Sequence, residues 1–188
     1  MASQGPNSAG TFANDGGSGG SYTWSNLSFA STSNNQYATC TVNASGVTYF
    51  LKCTNFGFAI PGGSTIDGIY VGVECWSDNS GASDLYVQLV KGGTISGDNK
   101  AYFPDITIES VVPYGGISDL WGLSFTVADI NSSTFGIAWA GQNTSMKSGV
   151  NYYIDHVTIT VYYTGGGGGG VVSKIFKTNI AKITASNF

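Results

Sequence analysis

The sequence predicts an all-β fold, a single antiparallel β-sandwich of jelly-roll-like type, and three observations carry this prediction. Glycine is abundant (28 of 188 residues), 13% of the residues are aromatic, and only 10% are charged, against about 25% in an average protein. Residues 66–77 alternate with a period of two, which is the pattern of a strand with one buried face. Short β-branched and aromatic runs recur between turn signals, as they do in sandwiches and jelly rolls.

The N-terminal segment, residues 1–20, is predicted to be a flexible arm. It consists mainly of Gly, Ser, Asn and Ala, and it has too little apolar area to fold alone. Aromatic residues first recur in YTWSNLSF (22–29). We therefore expect the β-sandwich to extend over residues 21–164.

Strands separated by turns are predicted throughout that domain. They cover residues 36–42, 49–60, 66–77, 84–90, 104–112, 123–127, 134–139 and 151–163. The second ends at PGGS (61–64), because proline fixes φ and removes a hydrogen-bond donor. The third places Ile69, Val71, Val73 and Cys75 on its apolar face. Within residues 104–112, the run DITIESVV lies between Pro104 and Pro113, which favours an edge strand or a covering loop. Residues 128–133 are predicted to form a tight turn or one helical turn.

The C-terminal region has a different composition. Residues 165–170 are six consecutive glycines, which predict a flexible tether. The following segment, VVSKIFKTNIAKITASNF (171–188), is apolar and cationic, and it is too short to bury its isoleucines against itself. We interpret it as a docking tail that binds other subunits through its apolar residues, namely Val171, Val172, Ile175, Phe176, Ile180, Ile183 and Phe188.

The charge balance argues against a nucleic-acid partner. The net charge is −4, and the seven cationic residues are all lysines, spread thinly along the chain, whereas phosphate contacts need clustered cations. No apolar run approaches the roughly 20 residues of a membrane helix, and the N-terminus lacks the features of a signal peptide. We expect a protein made in the cytoplasm, without membrane insertion and without a cofactor.

The sequence indicates neither a metal site nor histidine chemistry. Cys40, Cys53 and Cys75 are odd in number and lie in apolar strand patterns, so we interpret them as reduced and buried; whether Cys40 and Cys53 are bonded is left open. They lack the short spacing of zinc ligands. His156 is the only histidine, and alternation along its strand predicts that it points to the opposite face from Asp155. We therefore assign no catalytic and no metal-binding residue.

Two alternatives to a purely structural role involve carboxylates and aromatic side chains. Glu74 and Glu109 are the only glutamates, and a glycosidase needs two carboxylates that flank one bond, although a solvent-facing strand charge is the favoured interpretation of each. Trp121, Tyr114 and Trp76 are candidate glycan contacts, since aromatic rings stack on sugars. Trp121, in the glycine-rich phrase SDLWG, is the best of these three.

Several phrases resemble a group of virion proteins from tailed phages and their prophage relatives. The most specific is LKCTNFGFAIPGGSTIDGI (51–69), and the others are NSAGTFAND (7–15), WSN (24–26), YAT (37–39), SDLWG (118–122), SSTFGIAW (132–139) and IDHVTITVYY (154–163). The resemblance implies an accessory structural β-domain of a phage particle and brings no catalytic residue with it. The final KIFKTNIAKITASNF is also similar to the tails that end some phage appendage proteins.

The expected function is therefore that of a non-enzymatic virion protein: a capsid decoration, tail or fibre component. Its partners would be identical subunits and other virion proteins, joined through the termini and the edges of the sandwich. The alternative is a carbohydrate-binding or receptor-binding module whose partners are surface glycans.

Overall fold

Ten antiparallel strands form two five-stranded sheets within the part of the chain that the computed structural model describes, residues 1–102, 104 and 106–165. A short helix, α1 (Val127–Asn131), follows the eighth strand. In chain order the strands are β1 (Ala2–Ser8), β2 (Thr11–Asp15), β3 (Ala38–Val42), β4 (Phe50–Thr54), β5 (Thr65–Ser77), β6 (Ala82–Lys91), β7 (Thr94–Ser96), β8 (Ser110–Gly116), β9 (Gly136–Asn143) and β10 (Val150–Thr164).

The order of strands β3 to β10 is that of a jelly roll. They pair as nested partners: β3 with β10, β4 with β9, β5 with β8, and β6 with β7. A long hairpin that is rolled up gives this nesting, and the result is one sheet ordered β3-β10-β5-β8 facing another ordered β4-β9-β6-β7. The predicted all-β, jelly-roll-like sandwich is confirmed.

The core lies between the two sheets and is built from alternate residues of the central strands. On β5, the predicted apolar face is confirmed, since Ile69, Val71, Val73 and Cys75 are at most 1% exposed. Burying an aliphatic side chain of this kind contributes about 1.5–3 kcal/mol relative to leaving it in water. All three cysteines are free and buried, as expected.

The N-terminal residues belong to the sandwich, so the prediction of a flexible arm over residues 1–20 is wrong. β1 pairs with β10 beside β3, and β2 pairs with β4. Polar side chains reinforce these ladders: Asn7 Nδ2 donates to the Phe56 carbonyl at 2.9 Å, and Asn14 both donates to and accepts from the backbone of Trp24. Backbone ladders require no apolar periodicity, so composition gave no signal for them.

Three other predicted boundaries change in the structure. The strand predicted over 49–60 ends at Thr54, because residues 55–60 leave the ladder after Asn55, whose φ is 60°. Phe56 and Phe58 still pack in the core. The strand predicted over 104–112 begins at Ser110 and forms a sheet edge, whereas residues 123–127 form no strand.

The helical turn predicted near 128–133 is present as α1. Thr126 caps its N-terminus: the Thr126 side chain accepts from the backbone N–H of Asp129, whose carboxylate accepts in return from the Thr126 N–H. This reciprocal pair satisfies two N–H groups that the first turn leaves free.

The predicted tether and docking tail lie outside the described residues, apart from Gly165. The same holds for the seven predicted docking residues, Val171 to Phe188.

Candidate functional site

Three carboxylates meet on the outer face of the sheet that contains β5. They belong to Glu74 of β5, Glu109 just before β8, and Asp155 of β10, and one oxygen from each lies within 4.8 Å of the others. The strand register brings them together, because Glu74 pairs with Val111 on one side and with His156 on the other. We call Glu74, Glu109 and Asp155 the carboxylate cluster.

Asp155 joins the cluster through a β-bulge. The register between β10 and β5 shifts between Ile154 and His156, so that Asp155 has no direct partner in β5. Strict alternation predicts Asp155 on the core side with Val157, opposite to His156. That prediction is wrong, because the extra residue of the bulge changes the phase and turns the carboxylate of Asp155 towards Glu74.

The loop before β3 holds the buried member of the cluster. Asp155 is 1% exposed, and its carboxylate accepts hydrogen bonds from the backbone N–H groups of Asn34 (3.2 and 3.1 Å) and Asn35 (2.9 Å). In the same loop region, the hydroxyl of Tyr37 donates to Glu109 Oε2 at 3.2 Å. Desolvation and, next, the charge of Glu109 raise the pKa of Tyr37, so that Tyr37 remains a neutral donor.

Three aromatic rings pack beside the carboxylates. Trp76 and Tyr153 stack with centroids 4.2 Å apart and an interplanar angle of 11°. Tyr37 meets both rings edge-on, at 6.0 and 5.5 Å. Trp76 is half-buried, and it is the one predicted glycan contact that lies at this surface.

The other two predicted glycan contacts are core residues, so that prediction is wrong for them. Trp121 is 0% exposed and Tyr114 is 3% exposed. The indole Nε1 of Trp121 donates to the Ile69 carbonyl at 3.0 Å, and the hydroxyl of Tyr114 accepts from Trp139 Nε1 at 3.3 Å. The glycine-rich loop folds inward, since Trp121 takes a left-handed φ of 57° and Gly122 takes one of 69°.

The carboxylate cluster is not neutralised by an ion pair within the described residues. The ion pairs found there join Lys52, Lys91 and Lys100 to other acids. Two unit charges about 5 Å apart repel by roughly 3 kcal/mol at an effective dielectric constant of about 20. A cation would remove this repulsion, and the three acids could hold either a hard metal ion or an ammonium group.

Glu74 and Glu109, the two glutamates considered above as a glycosidase pair, lie close together in the structure. One carboxylate oxygen of Glu74 and one of Glu109 lie within 4.8 Å of each other. The third carboxylate also occupies the same cluster.

A groove of about 610 Å³ lies on the outer face of the other sheet. The rings of Phe50 and Tyr86 line it, with centroids 5.9 Å apart. Lys52 and Asp15 form an ion pair of 3.4 Å at its margin, and Gln88 also contributes. Sequence reasoning missed this groove because its residues come from separate strands that only the register brings together.

No known protein family matches the chain, and neither a curated protein nor a solved structure shows significant similarity to it. Among the described residues, no helix combines the length and the apolar character needed to cross a membrane.

Proposed function

We propose that this protein is a non-enzymatic structural component of a tailed-phage particle, such as a decoration, tail or fibre protein. It would assemble with identical subunits and other virion proteins through its C-terminal tail and the edges of its sandwich. The observation that carries the proposal is the jelly-roll order of β3 to β10, an architecture that viral capsid domains use repeatedly. The resemblance of seven sequence phrases to virion proteins supports the same role.

The low proportion of charged residues in the chain also supports this role. With 10% charged residues and a net charge of −4, neighbouring copies can pack closely without strong repulsion. The sheet edges offer backbone groups to which another chain can add a strand. Weak contacts of this kind become strong when they repeat across an assembly.

Deletion of the C-terminal region tests the proposal. Within the residues that the structure describes, the buried core residues lie between Ala9 and Val161, so a chain that ends at Thr164 should fold and stay soluble. It should no longer incorporate into particles when it is expressed with the other virion proteins. Normal incorporation of the truncated chain would contradict the docking role of the tail.

Saccharide binding is a second candidate function, and the groove of about 610 Å³ favours it. Its volume is in the range of small-ligand sites, about 300–1,000 Å³, and it combines aromatic rings with polar side chains. Binding on a glycan array that is lost in Tyr86→Ala, but kept when Tyr162 on the other sheet is changed to alanine, would support this function. Binding unaffected by Tyr86→Ala would exclude the groove.

A further inference from the structure

Strand β8 is an exposed edge with an apolar surface. In the described part of the chain it pairs only with β5, at the end of its sheet. Ile108 and Val111 are 79% and 54% exposed. Exposed apolar side chains beside an unpaired sheet edge promote association with another chain. We call Ile108, Val111, Glu74 and Glu109 together the β8 face.

The acidic residues of the β8 face select for a cationic partner. Val111 pairs directly with Glu74, and Glu109 lies between Ile108 and Val111 in sequence. The carboxylates of Glu74 and Glu109 lie with that of Asp155 in one cluster. A segment that binds here must therefore combine apolar side chains with positive charge.

The C-terminal tail of this protein has that composition. Residues 171–188 contain Lys174, Lys177 and Lys182 among valines, isoleucines and phenylalanines, and they contain no Asp or Glu. Three of the seven lysines of the whole chain fall in this segment. The tail therefore complements the β8 face in both charge and apolarity.

The position at which the chain leaves the sandwich favours the tail of another copy. β10 ends at Thr164, which pairs with Thr65 at the beginning of β5. Glu74 lies nine positions further along β5, a distance of about 30 Å at strand spacing. The chain leaves heading away from the carboxylates, so its own tail would have to reverse direction to reach them, which favours the tail of another copy.

We propose that the β8 face is the acceptor site for the C-terminal tail of a second copy of this chain, with a tail lysine paired to Glu74 and tail isoleucines packed on Ile108 and Val111. This inference rests on the proposed assembly function and adds the surface that receives the tail. It makes the contact heterologous, since the tail of one subunit binds a different surface on the next.

Sedimentation of the full-length chain at a series of concentrations and salt levels tests the proposal. The wild-type chain should self-associate, and association should weaken as salt rises, since the screening length falls from about 10 Å at 0.1 M to about 3 Å at 1 M. The double variant Glu74→Gln/Glu109→Gln should weaken association roughly tenfold. Val111→Lys should weaken it as well, whereas the control Asp98→Asn, away from this face, should not.

Two further experiments identify the segment that binds the β8 face. A carbodiimide joins adjacent lysine and carboxylate side chains, and in a mixture of isotope-labelled and unlabelled chains it should give tail–Glu74 cross-links between chains. A tail variant, Lys174→Glu/Lys177→Glu, should lose association and regain it when mixed with Glu74→Lys/Glu109→Lys. Cross-links found only within one chain would overturn the assignment to a second copy.

The remaining outcomes separate this inference from the proposed function. Self-association that is unchanged in both β8-face variants would overturn the acceptor site and leave the assembly function standing. A wild-type chain that neither self-associates nor enters particles would overturn both. Because Glu→Gln keeps the side-chain shape at these half-buried positions, circular dichroism of each variant should confirm that the fold is intact.

Discussion

Replacing Trp121 by alanine should strongly destabilise the fold without affecting any surface interaction. The indole is fully buried, and loss of a large aromatic side chain from a core costs about 3–5 kcal/mol. The change also removes the donor to the Ile69 carbonyl, which adds about 1 kcal/mol. We expect a loss of about 4–6 kcal/mol, a large part of the roughly 5–15 kcal/mol that holds a typical domain together.

Denaturant unfolding followed by far-ultraviolet circular dichroism measures this loss without relying on tryptophan fluorescence. Trp121→Gly should be less destabilising than Trp121→Ala by about 1 kcal/mol, because the backbone φ of 57° suits glycine. The matched control is Trp76→Ala on the outer face, where loss of the stacked pair with Tyr153 should cost about 1–2 kcal/mol. A Trp121→Ala protein that keeps its stability but loses saccharide binding would refute the assignment of Trp121 to the core.

Three further predictions concern the close packing of the sheets, the carboxylate cluster and the thiols. Gly136→Ala should cost about 3 kcal/mol or more, because the added Cβ would overlap a backbone carbonyl of β4, whereas Gly62→Ala, which faces open space, should change the free energy of unfolding by less than about 0.5 kcal/mol. Glu74→Gln should raise the free energy of unfolding by about 1–2 kcal/mol in chelator-containing buffer, because it removes like-charge repulsion at a partly solvated position; a lower stability would contradict this account. Burial raises the pKa of Cys40 and Cys75 to about 12. The buried neutral thiols therefore make their full contribution to the free energy of unfolding below about pH 9, and this contribution is lost as the pH rises towards 12. Native thiols should also resist alkylation until the chain unfolds, and rapid labelling of the folded protein would show that the thiols are accessible.

The sequence predicted those parts of the fold in which apolar and polar side chains alternate along a strand. On β5, period-two alternation identified the buried face residue by residue, because burial on one side is what creates the pattern. The same logic had nothing to detect in β1 and β2, whose side chains are largely exposed and whose pairing depends on backbone hydrogen bonds and on asparagines such as Asn14. Polar composition was therefore mistaken for flexibility.

The candidate site was predicted less well, because two local backbone features determine it. The bulge at Asp155 brings a third carboxylate to Glu74 and Glu109, and no alternation rule places a bulge in advance. The glycine-rich sequence around Trp121 suggested an exposed indole, but the left-handed backbone at Trp121 turns the indole into the core. In both cases one residue departs from the regular conformation and changes which surface a functional group reaches.

The same carboxylates bear on how subunits could associate. Pro113, in the middle of β8, has no N–H to offer, so a neighbouring strand cannot form a continuous ladder along this edge. Side-chain contacts must then decide what binds, and two β8 faces brought together would place two carboxylate clusters against each other. That repulsion disfavours the symmetric pairing of two β8 faces, whereas a tail that carries lysines is attracted. The repulsion therefore contributes to specificity as much as the attraction does. Interfaces between unlike surfaces close into rings or continue as filaments, and either form is consistent with the proposed virion role.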